Sequence, residues 1–250
     1  MSTLVYQNTG IVATRFLKKY PFPNDITQLP ALIPGIILQA DFDVNDPASL
    51  TRNRVGAAMS AVGSPELGDY GVTVSESDHL NTNIDISAYN ASNLTEISIS
   101  VHPGAVRAIL GRNQINAPGR SRGIQAGAAT WRSVWLNSSG AAQAVSLTPA
   151  SPSPDGEMVV SQFIRNNGSG AMVTKIDLPR TLQSNTVTAT ATPYSMPSSN
   201  ALLGASADAA TTGTVFVRAA LLISREITPA ELAMIYLYYK NYYQLKGKTI

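Results

Sequence analysis

Short apolar runs separated by clusters of turn-forming residues make up most of the chain after residue 35. Within 93–103 apolar and polar positions alternate, and this period of two predicts a half-buried β-strand. Clusters of Asn, Ser and Gly at 137–140 and 166–170 are typical of turns. Many short strands with frequent turns predict an all-β sandwich or jelly roll. The predicted strands lie within residues 35–42, 69–77, 93–103, 105–113, 130–140, 157–170, 171–178 and 214–224.

One helix has clear signals at both ends, close to the end of the sequence. Thr228 and Glu231 have the spacing of a capping box, and Pro229 suits the first helical position. Gly247 is a suitable stop, so the pattern predicts a helix over residues 228–246. Apolar and aromatic residues recur at helical spacing, namely Leu232, Ile235, Tyr236, Tyr239 and Tyr243.

The tyrosines of this predicted helix are unusually dense. Five of them fall within residues 236–243, and five neighbouring rings cannot all face one core. We therefore expect some of them to contact another surface or a partner, and Tyr238 and Tyr242 are the candidates.

Residues 1–34 differ in composition from the rest, because prolines are frequent at their C-terminal end. Prolines at this density break regular structure and favour extended backbone, so this segment is predicted to be an arm that docks on another protein. Its basic residues are the docking candidates, namely Arg15, Lys18 and Lys19. Residues 146–155 and 193–214 are predicted to be long loops, from their content of Pro, Ser, Ala and Gly.

Two passages resemble the laminin-G-like or concanavalin-A-like jelly-roll domains of bacteriophage structural proteins. Residues 62–87 resemble the early strands of that family, and residues 217–250 resemble its closing strand and helix. The matching residues are Gly71, Val72, Val74, Leu80, Thr82, Arg225, Ile227, Thr228, Glu231, Leu232, Ile235 and Tyr236. The resemblance implies a concanavalin-A-like jelly-roll sandwich over residues 35–250, preceded by the arm, with the closing helix across an open edge or end of the sandwich.

The overall composition excludes several classes of protein. Charged residues are 14% of the chain, against about 25% in a typical globular domain. The formal net charge of +2 gives no basic footprint for nucleic acid. No cysteine is present, so disulfides and zinc–thiolate sites are excluded. No stretch resembles a secretory signal or reaches the length of a membrane span. We therefore expect neither a nucleic-acid nor a membrane partner.

Enzyme chemistry finds little support in the residue pattern. The pair Glu76 and Asp78 lacks the remaining carboxylate of a glycosidase strand motif, so a polar turn is the favoured interpretation. The two histidines lack a ligand-like spacing, and no nucleophile elbow is present. A calcium site is a weaker alternative to a simple turn at Asp41, Asp43 and Asp46, because the EF-hand positions for Gly and Glu are not filled. The chain is predicted to be non-enzymatic and without a cofactor.

Two groups of residues are candidates for binding a partner or a glycan. Trp131 and Trp135 share one face of a strand, where they either pack in the core, which is the favoured interpretation, or form a platform for sugars. Basic residues gather between residues 107 and 132, and Arg112, Arg120 and Arg122 are the binding candidates there.

The sequence therefore leads to a virion structural protein, made in the host cytoplasm, as the first hypothesis. Such a tail-fibre, baseplate-associated or capsid-decorating protein would bind other virion proteins through residues 1–34 and display its jelly roll. It would self-associate, with a trimer favoured by the resemblance. The alternative hypothesis is a lectin-like module that binds a host-surface glycan, and a glycan-cleaving enzyme comes third.

Overall fold

The computed structural model describes residues 24–90, 92–113, 121–136, 142–165, 172–189, 198–207 and 211–250. Within these residues two antiparallel sheets pack face to face, as the sequence predicted for an all-β sandwich. Sheet I contains β1 (Ile36–Asp41), β3 (Glu66–Gly68), β4 (Gly71–Ser75), β6 (Leu94–Ser100), β11 (Glu157–Arg165), β12 (Met172–Leu178), β13 (Gln183–Ala189) and β15 (Thr214–Ile223). Sheet II contains β2 (Ser60–Val62), β5 (His79–Asp85), β7 (Arg107–Arg112), β8 (Arg122–Ala126), β9 (Trp131–Leu136), β10 (Ala142–Leu147) and β14 (Asn200–Leu203).

Strands distant in sequence are neighbours in both sheets. Sheet I has the order β13-β12-β11-β6-β15-β4-β3, and sheet II has the order β10-β9-β8-β7-β14-β5-β2. Two strands pair with the same edge of the long strand β15. β4 pairs with its first half, and β1 pairs with its second half. These crossovers between two packed antiparallel sheets define a jelly-roll β-sandwich.

The core between the sheets is built from alternating positions of the strands. In β11, Val159 and Phe163 face sheet II, whereas Met158 and Val160 face the opposite way. Both sets are buried, so sheet I carries apolar residues on both of its faces. Its outer face therefore needs a covering layer of its own.

The closing helix provides this layer. Helix α2 (Pro229–Gln244) buries Ile235, Tyr239 and Tyr243 against outward residues of sheet I such as Ile97 and Leu221. The expectation that the helix crosses an open edge or end of the sandwich is wrong, because the apolar stripe of α2 matches the apolar outer face of sheet I instead.

Both ends of α2 follow the predicted signals. The Thr228 hydroxyl accepts a hydrogen bond from the Glu231 amide, and the Glu231 carboxylate accepts one from the Thr228 amide (2.8 Å). Arg225, at the end of the preceding strand, pairs with the same carboxylate (Nη2–Oε1 2.6 Å). Hydrogen bonding to Arg225 is the main cause that lowers the pKa of Glu231 to about 2. Beyond the helix, Gly247 adopts a left-handed conformation with φ 71°.

Part of the predicted N-terminal arm belongs to the same layer. Ile26, Leu29 and Ile33 are buried in the cluster under α2, with residues Leu29–Leu32 forming the short helix α1. Residues 24–34 therefore pack on the chain's own sheet. Residues 1–23, with the docking candidates Arg15, Lys18 and Lys19, lie outside the described residues, and the division of the chain at residue 34 stays a prediction.

One predicted loop contains a strand. The segment 193–214 was expected to be a loop throughout, but β14 lies inside it and pairs with β5 and β7 in the middle of sheet II. Its residues Ala201 and Leu203 face the core. The flanking Ser, Ala and Gly residues are typical of loops, so the sequence gives no strand signal here. The strand forms because the segment pairs with two longer strands on either side.

Candidate functional site

A groove of about 480 Å³ lies between α2 and the outer face of sheet I, where β12 leads into β13. This volume falls in the range of about 300–1,000 Å³ that is typical of small-ligand sites. Most of the lining is apolar, and a few polar groups stand among the apolar residues. One wall consists of Pro229, Leu232, Ala233, Tyr236, Leu237 and Lys240, and the other of Asp177, Pro179, Leu182, Gln183 and Ser184.

Tyr236 and Lys240 share one side of α2, because residues four apart in a helix lie one turn above each other. The Tyr236 hydroxyl donates a hydrogen bond to the backbone oxygen of Ile250 (3.2 Å), which holds the ring in the wall of the groove. Burial raises the pKa of Tyr236, so this hydroxyl keeps its proton. The Lys240 ammonium lies 5.8 Å from the centre of the Tyr236 ring. The helix thus gives the groove an aromatic surface with a cation beside it.

Asp177 supplies a carboxylate to the opposite wall. It lies on the outward side of β12, directly across from Ser184 on β13, so that the two side chains share one face. Its Oδ1 pairs with Lys175 (3.1 Å), whereas its Oδ2 accepts no hydrogen bond from the described residues. The residue is only 5% exposed. A buried charged oxygen without a donor costs more than about 1–3 kcal/mol, so a hydroxyl that reaches this atom by displacing the atoms that cover it would be bound strongly.

The turn between β12 and β13 exposes a large apolar side chain at the rim. Leu182 has a left-handed backbone with φ 55° and is 91% exposed. A β-carbon disfavours this conformation, so the turn holds Leu182 at some cost in energy. Arg180 fixes the turn, since its guanidinium binds the Glu157 carboxylate (Nη2–Oε2 2.7 Å) and the backbone oxygen of Ser151. Strained residues with exposed apolar side chains are frequent at binding sites.

The two tryptophans do not line the groove. Trp131 is 0% and Trp135 2% exposed, and both pack in the core between the sheets, as the favoured interpretation had it. The rings of Trp131 and His102 form a T-shaped pair, with 4.8 Å between the ring centres. Rings buried to this extent cannot form a platform for sugars, so this alternative is wrong.

The predicted basic site is only partly assembled in the structure. Arg122 is buried between the sheets, where it lies over the Phe163 ring and donates to the backbone oxygen of Tyr89 (2.8 Å). A guanidinium held in this way is part of the core. The prediction that Arg122 binds a partner or a glycan at the surface is therefore wrong. Arg112 is half-buried at the end of β7. Arg120 lies outside the described residues.

The calcium alternative has little support. Asp41 is bound by Arg54 (Nη2–Oδ2 2.8 Å), and Asp46 pairs with Arg52 (2.7 Å). The Asp43 carboxylate accepts a hydrogen bond from the amide two residues further on (2.9 Å), as Asx turns do. No group of three or more His, Asp or Glu residues in the described part of the chain is arranged to hold a metal ion. The geometry therefore agrees with the simple turn.

The tyrosines are distributed differently from the prediction. Tyr238 is buried in the cluster under α2, so it is not a surface contact. Tyr242 is half-buried, and Lys246 lies over its ring, 4.8 Å from the ring centre. Tyr236 is the tyrosine that reaches the groove. The sequence marked this residue as part of the apolar stripe, and nothing local distinguishes it from its neighbours.

No helix among the described residues has both the length and the apolar content that crossing a bilayer requires.

The fold and the groove together define a jelly-roll sandwich with a potential ligand site beside its closing helix. No protein-family model matches the sequence, and a comparison with curated proteins finds no match. Similar solved structures do exist. The receptor-binding domain of botulinum neurotoxin C/D mosaic serotype has a TM-score of 0.55 at 12% identity, over 81% of this chain and 51% of that chain. The receptor-binding domain of type G gives 0.51 at 12% identity, over 84% and 51%.

A third similar structure concerns botulinum neurotoxin type C, whose cell entry depends on interaction with two ganglioside molecules. Its TM-score is 0.50 at 14% identity, over 82% of this chain and 52% of that chain. This chain thus spans about half the length of the structures it resembles. At such identities the likeness shows the fold: the chain shares a β-sandwich with domains that bind receptors.

Proposed function

We propose that this protein is a non-enzymatic binding module and that it binds carbohydrate in the groove beside α2. The observation that carries the proposal is the buried Asp177 Oδ2 at the edge of a mostly apolar groove, which accepts no hydrogen bond from the described residues. A ligand that fits must combine apolar surface with hydroxyl donors. Sugars have this character, because one face of the ring presents C–H groups and its rim presents hydroxyls.

The two walls of the groove suit these two parts of a sugar. Tyr236 offers a ring for the C–H face, as aromatic side chains do in ligand pockets. Asp177 and Ser184 lie side by side on the other wall and can accept or donate hydrogen bonds. The similarity to domains that bind receptors, and to a neurotoxin that interacts with gangliosides, supports a sugar ligand.

A binding role is better supported than catalysis. Hydrolysis of a glycosidic bond commonly needs two carboxyl groups that flank the bond. Asp177 is the acidic residue of the groove lining, and the nearby Glu157 is held by Arg180. At the predicted turn, the Glu76 carboxylate accepts hydrogen bonds from the Ser206 amide (2.8 Å) and the Thr211 hydroxyl.

Calorimetric titration of the full chain with saccharides identified on a glycan array tests the proposal. We expect Asp177→Asn and Tyr236→Ala each to weaken binding about tenfold or more, which corresponds to about 1.4 kcal/mol. Asp46→Asn is the matched control, since it removes a carboxylate that pairs with Arg52 and does not line the groove. Thermal unfolding of each variant separates loss of binding from loss of fold. Equal binding by all three variants would exclude the groove as the site.

A virion structural role is the second proposal, and it is compatible with the first, since a particle can carry a glycan-binding domain. Its support is the phage-like closing segment, whose matched residues Arg225, Thr228 and Glu231 form one hydrogen-bonded cap in the structure. The proposal includes self-association, with a trimer favoured, and docking through the N-terminal residues. The mass of the full chain in solution, compared with a variant lacking residues 1–23, tests it. A monomeric full chain would argue against assembly.

A further inference from the structure

We propose that the groove selects saccharides that carry an anionic substituent, and that Lys240 binds this substituent. The inference rests on the proposed carbohydrate function and names the class of sugar. Its basis is the distribution of charge around the groove, where one cation forms no ion pair with the described residues.

Lys240 is exposed at the edge of the groove and forms no ion pair with the described residues. Two other lysines of the described residues form ion pairs, whereas Lys246 lies over the rings of Tyr70 and Tyr242, away from the groove lining. Lys175 pairs with Asp177 (3.1 Å), and Lys248 pairs with Asp69 (3.0 Å). The Lys240 ammonium instead lies over the Tyr236 ring, at 5.8 Å from its centre. A cation–π contact at this distance is weak, so the ammonium is available for an anion.

The other charges near the groove are balanced within the protein. Asp177 is compensated through Oδ1 by Lys175, and Glu157 by Arg180. Among the described residues that line the groove, Lys240 is therefore the charged residue without an ion pair. A site with one excess positive charge favours an anionic ligand over a neutral one of the same shape.

The positions of the polar groups also fix an orientation for the ligand. A sugar ring that stacks on Tyr236 extends between the helix wall and the β12–β13 wall. The Asp177 carboxylate repels an anionic substituent and accepts a hydrogen bond from a hydroxyl, whereas the Lys240 ammonium attracts the anionic substituent. The anionic end of the ligand is thus directed towards the helix, and a hydroxyl towards Asp177 Oδ2. Carboxylate and sulfate groups share the required chemistry.

The test is calorimetric titration of the full chain with three oligosaccharides: an oligogalacturonate with carboxylates, a dextran sulfate oligosaccharide with sulfates, and a neutral maltohexaose. We expect at least one acidic ligand to bind about tenfold tighter than the neutral one at low salt. The two acidic ligands show which anion the site prefers. The preference should decrease between about 50 mM and about 500 mM salt, because salt screens exposed charges.

Variants of two lysines assign the effect to one residue. Lys240→Met should abolish the preference for the acidic ligand, Lys240→Arg should retain it, and Lys248→Met, which removes a lysine that does not line the groove, should leave it unchanged. Equal binding of acidic and neutral ligands, or a preference that survives in Lys240→Met, would overturn the inference. If the neutral ligand binds and depends on Asp177 and Tyr236, the carbohydrate function still stands. If none of the three ligands binds, the result counts against both proposals.

Discussion

The carboxyl group of Glu96 lies against Gly111 of the opposite sheet, with Oε1 3.1 Å from the point that a β-carbon on Gly111 would occupy. Glu96 is fully buried between the sheets, and neither of its oxygens has a hydrogen-bond partner among the described residues. Burial raises its pKa to about 8, although the nearby charge of Arg122 acts in the opposite direction. The carboxyl group is therefore protonated at neutral pH, and the missing β-carbon of Gly111 provides the space for it.

Glu96→Gln should change how stability depends on pH. Between about pH 4.5 and about pH 8 the folded chain retains a proton that the unfolded chain has released, so rising pH destabilises the wild type. The slope is about 1.4 kcal/mol per pH unit at most. Glutamine cannot ionise, so the variant should gain in relative stability from pH 5 to pH 8 in urea unfolding. If the free energies of unfolding of the wild type and the variant changed in parallel with pH, the result would contradict the raised pKa of Glu96.

Gly111→Ala should destabilise the sandwich by roughly 2–4 kcal/mol. A β-carbon there would lie 2.5 Å from the Arg122 backbone oxygen and 2.8 Å from the Gly123 α-carbon, and the backbone has φ 105°. Gly104→Ala is the control, because φ is 69° and a β-carbon there would meet no atom of the other described residues within 4 Å, its two chain neighbours aside. Gly104→Ala should lower the free energy of unfolding only by the backbone strain, about 1 kcal/mol. Both variants are compared by chemical denaturation. Equal losses of stability would show that backbone strain, and not the steric overlap at Gly111, causes the loss.

Glu231→Gln should remove an acid-sensitive contribution to stability. The pKa of Glu231 is lowered to about 2, so its stabilising effect is complete above about pH 4.5 and is lost as the pH falls through 2. We expect the variant to be less stable by roughly 1 kcal/mol at pH 7, where the capping box is formed, and to approach the wild type near pH 2. Glu66→Gln, at an exposed position, is the control for an unrelated charge. A difference that is constant across this range would point to packing instead.

Tyr243→Phe should lower the free energy of unfolding by about 1–2 kcal/mol. The buried Tyr243 hydroxyl donates a hydrogen bond to the Arg218 backbone oxygen (2.9 Å), and phenylalanine cannot supply this donor. Tyr238→Phe is the matched control on the same helix, since no hydrogen bond of the Tyr238 hydroxyl is found within the described residues. Its effect should stay within about 0.5 kcal/mol. Thermal unfolding of both variants at one pH makes the comparison.

Local signals predicted the closing part of the fold well. The cap formed by Thr228 and Glu231, the proline at the first helical position and the stop near Gly247 are all present in the structure. These features depend on residues within a few positions of each other, so the sequence displays them directly. The alternating strands were predicted for the same reason.

The sequence concealed the features that depend on contacts between distant segments. The strand β14 is four residues long and owes its place to β5 and β7. Glu96 would be assigned to a solvent face by the usual pattern, yet β6 is buried at every position because both faces of sheet I are covered. The groove joins Asp177 and Tyr236 from segments far apart in the chain, and no local pattern marks their meeting.

The two outer faces of the sandwich differ, because both ends of the described chain pack on the outer face of sheet I. Ile26, near the start of the described residues, and Ile250, the last of them, are buried in the same cluster on the outer face of sheet I. Residues 24–34 and the residues that follow α2 thus lie on the same side of the sandwich. The outer face of sheet II lies on the opposite side, so a partner that binds there need not displace either segment.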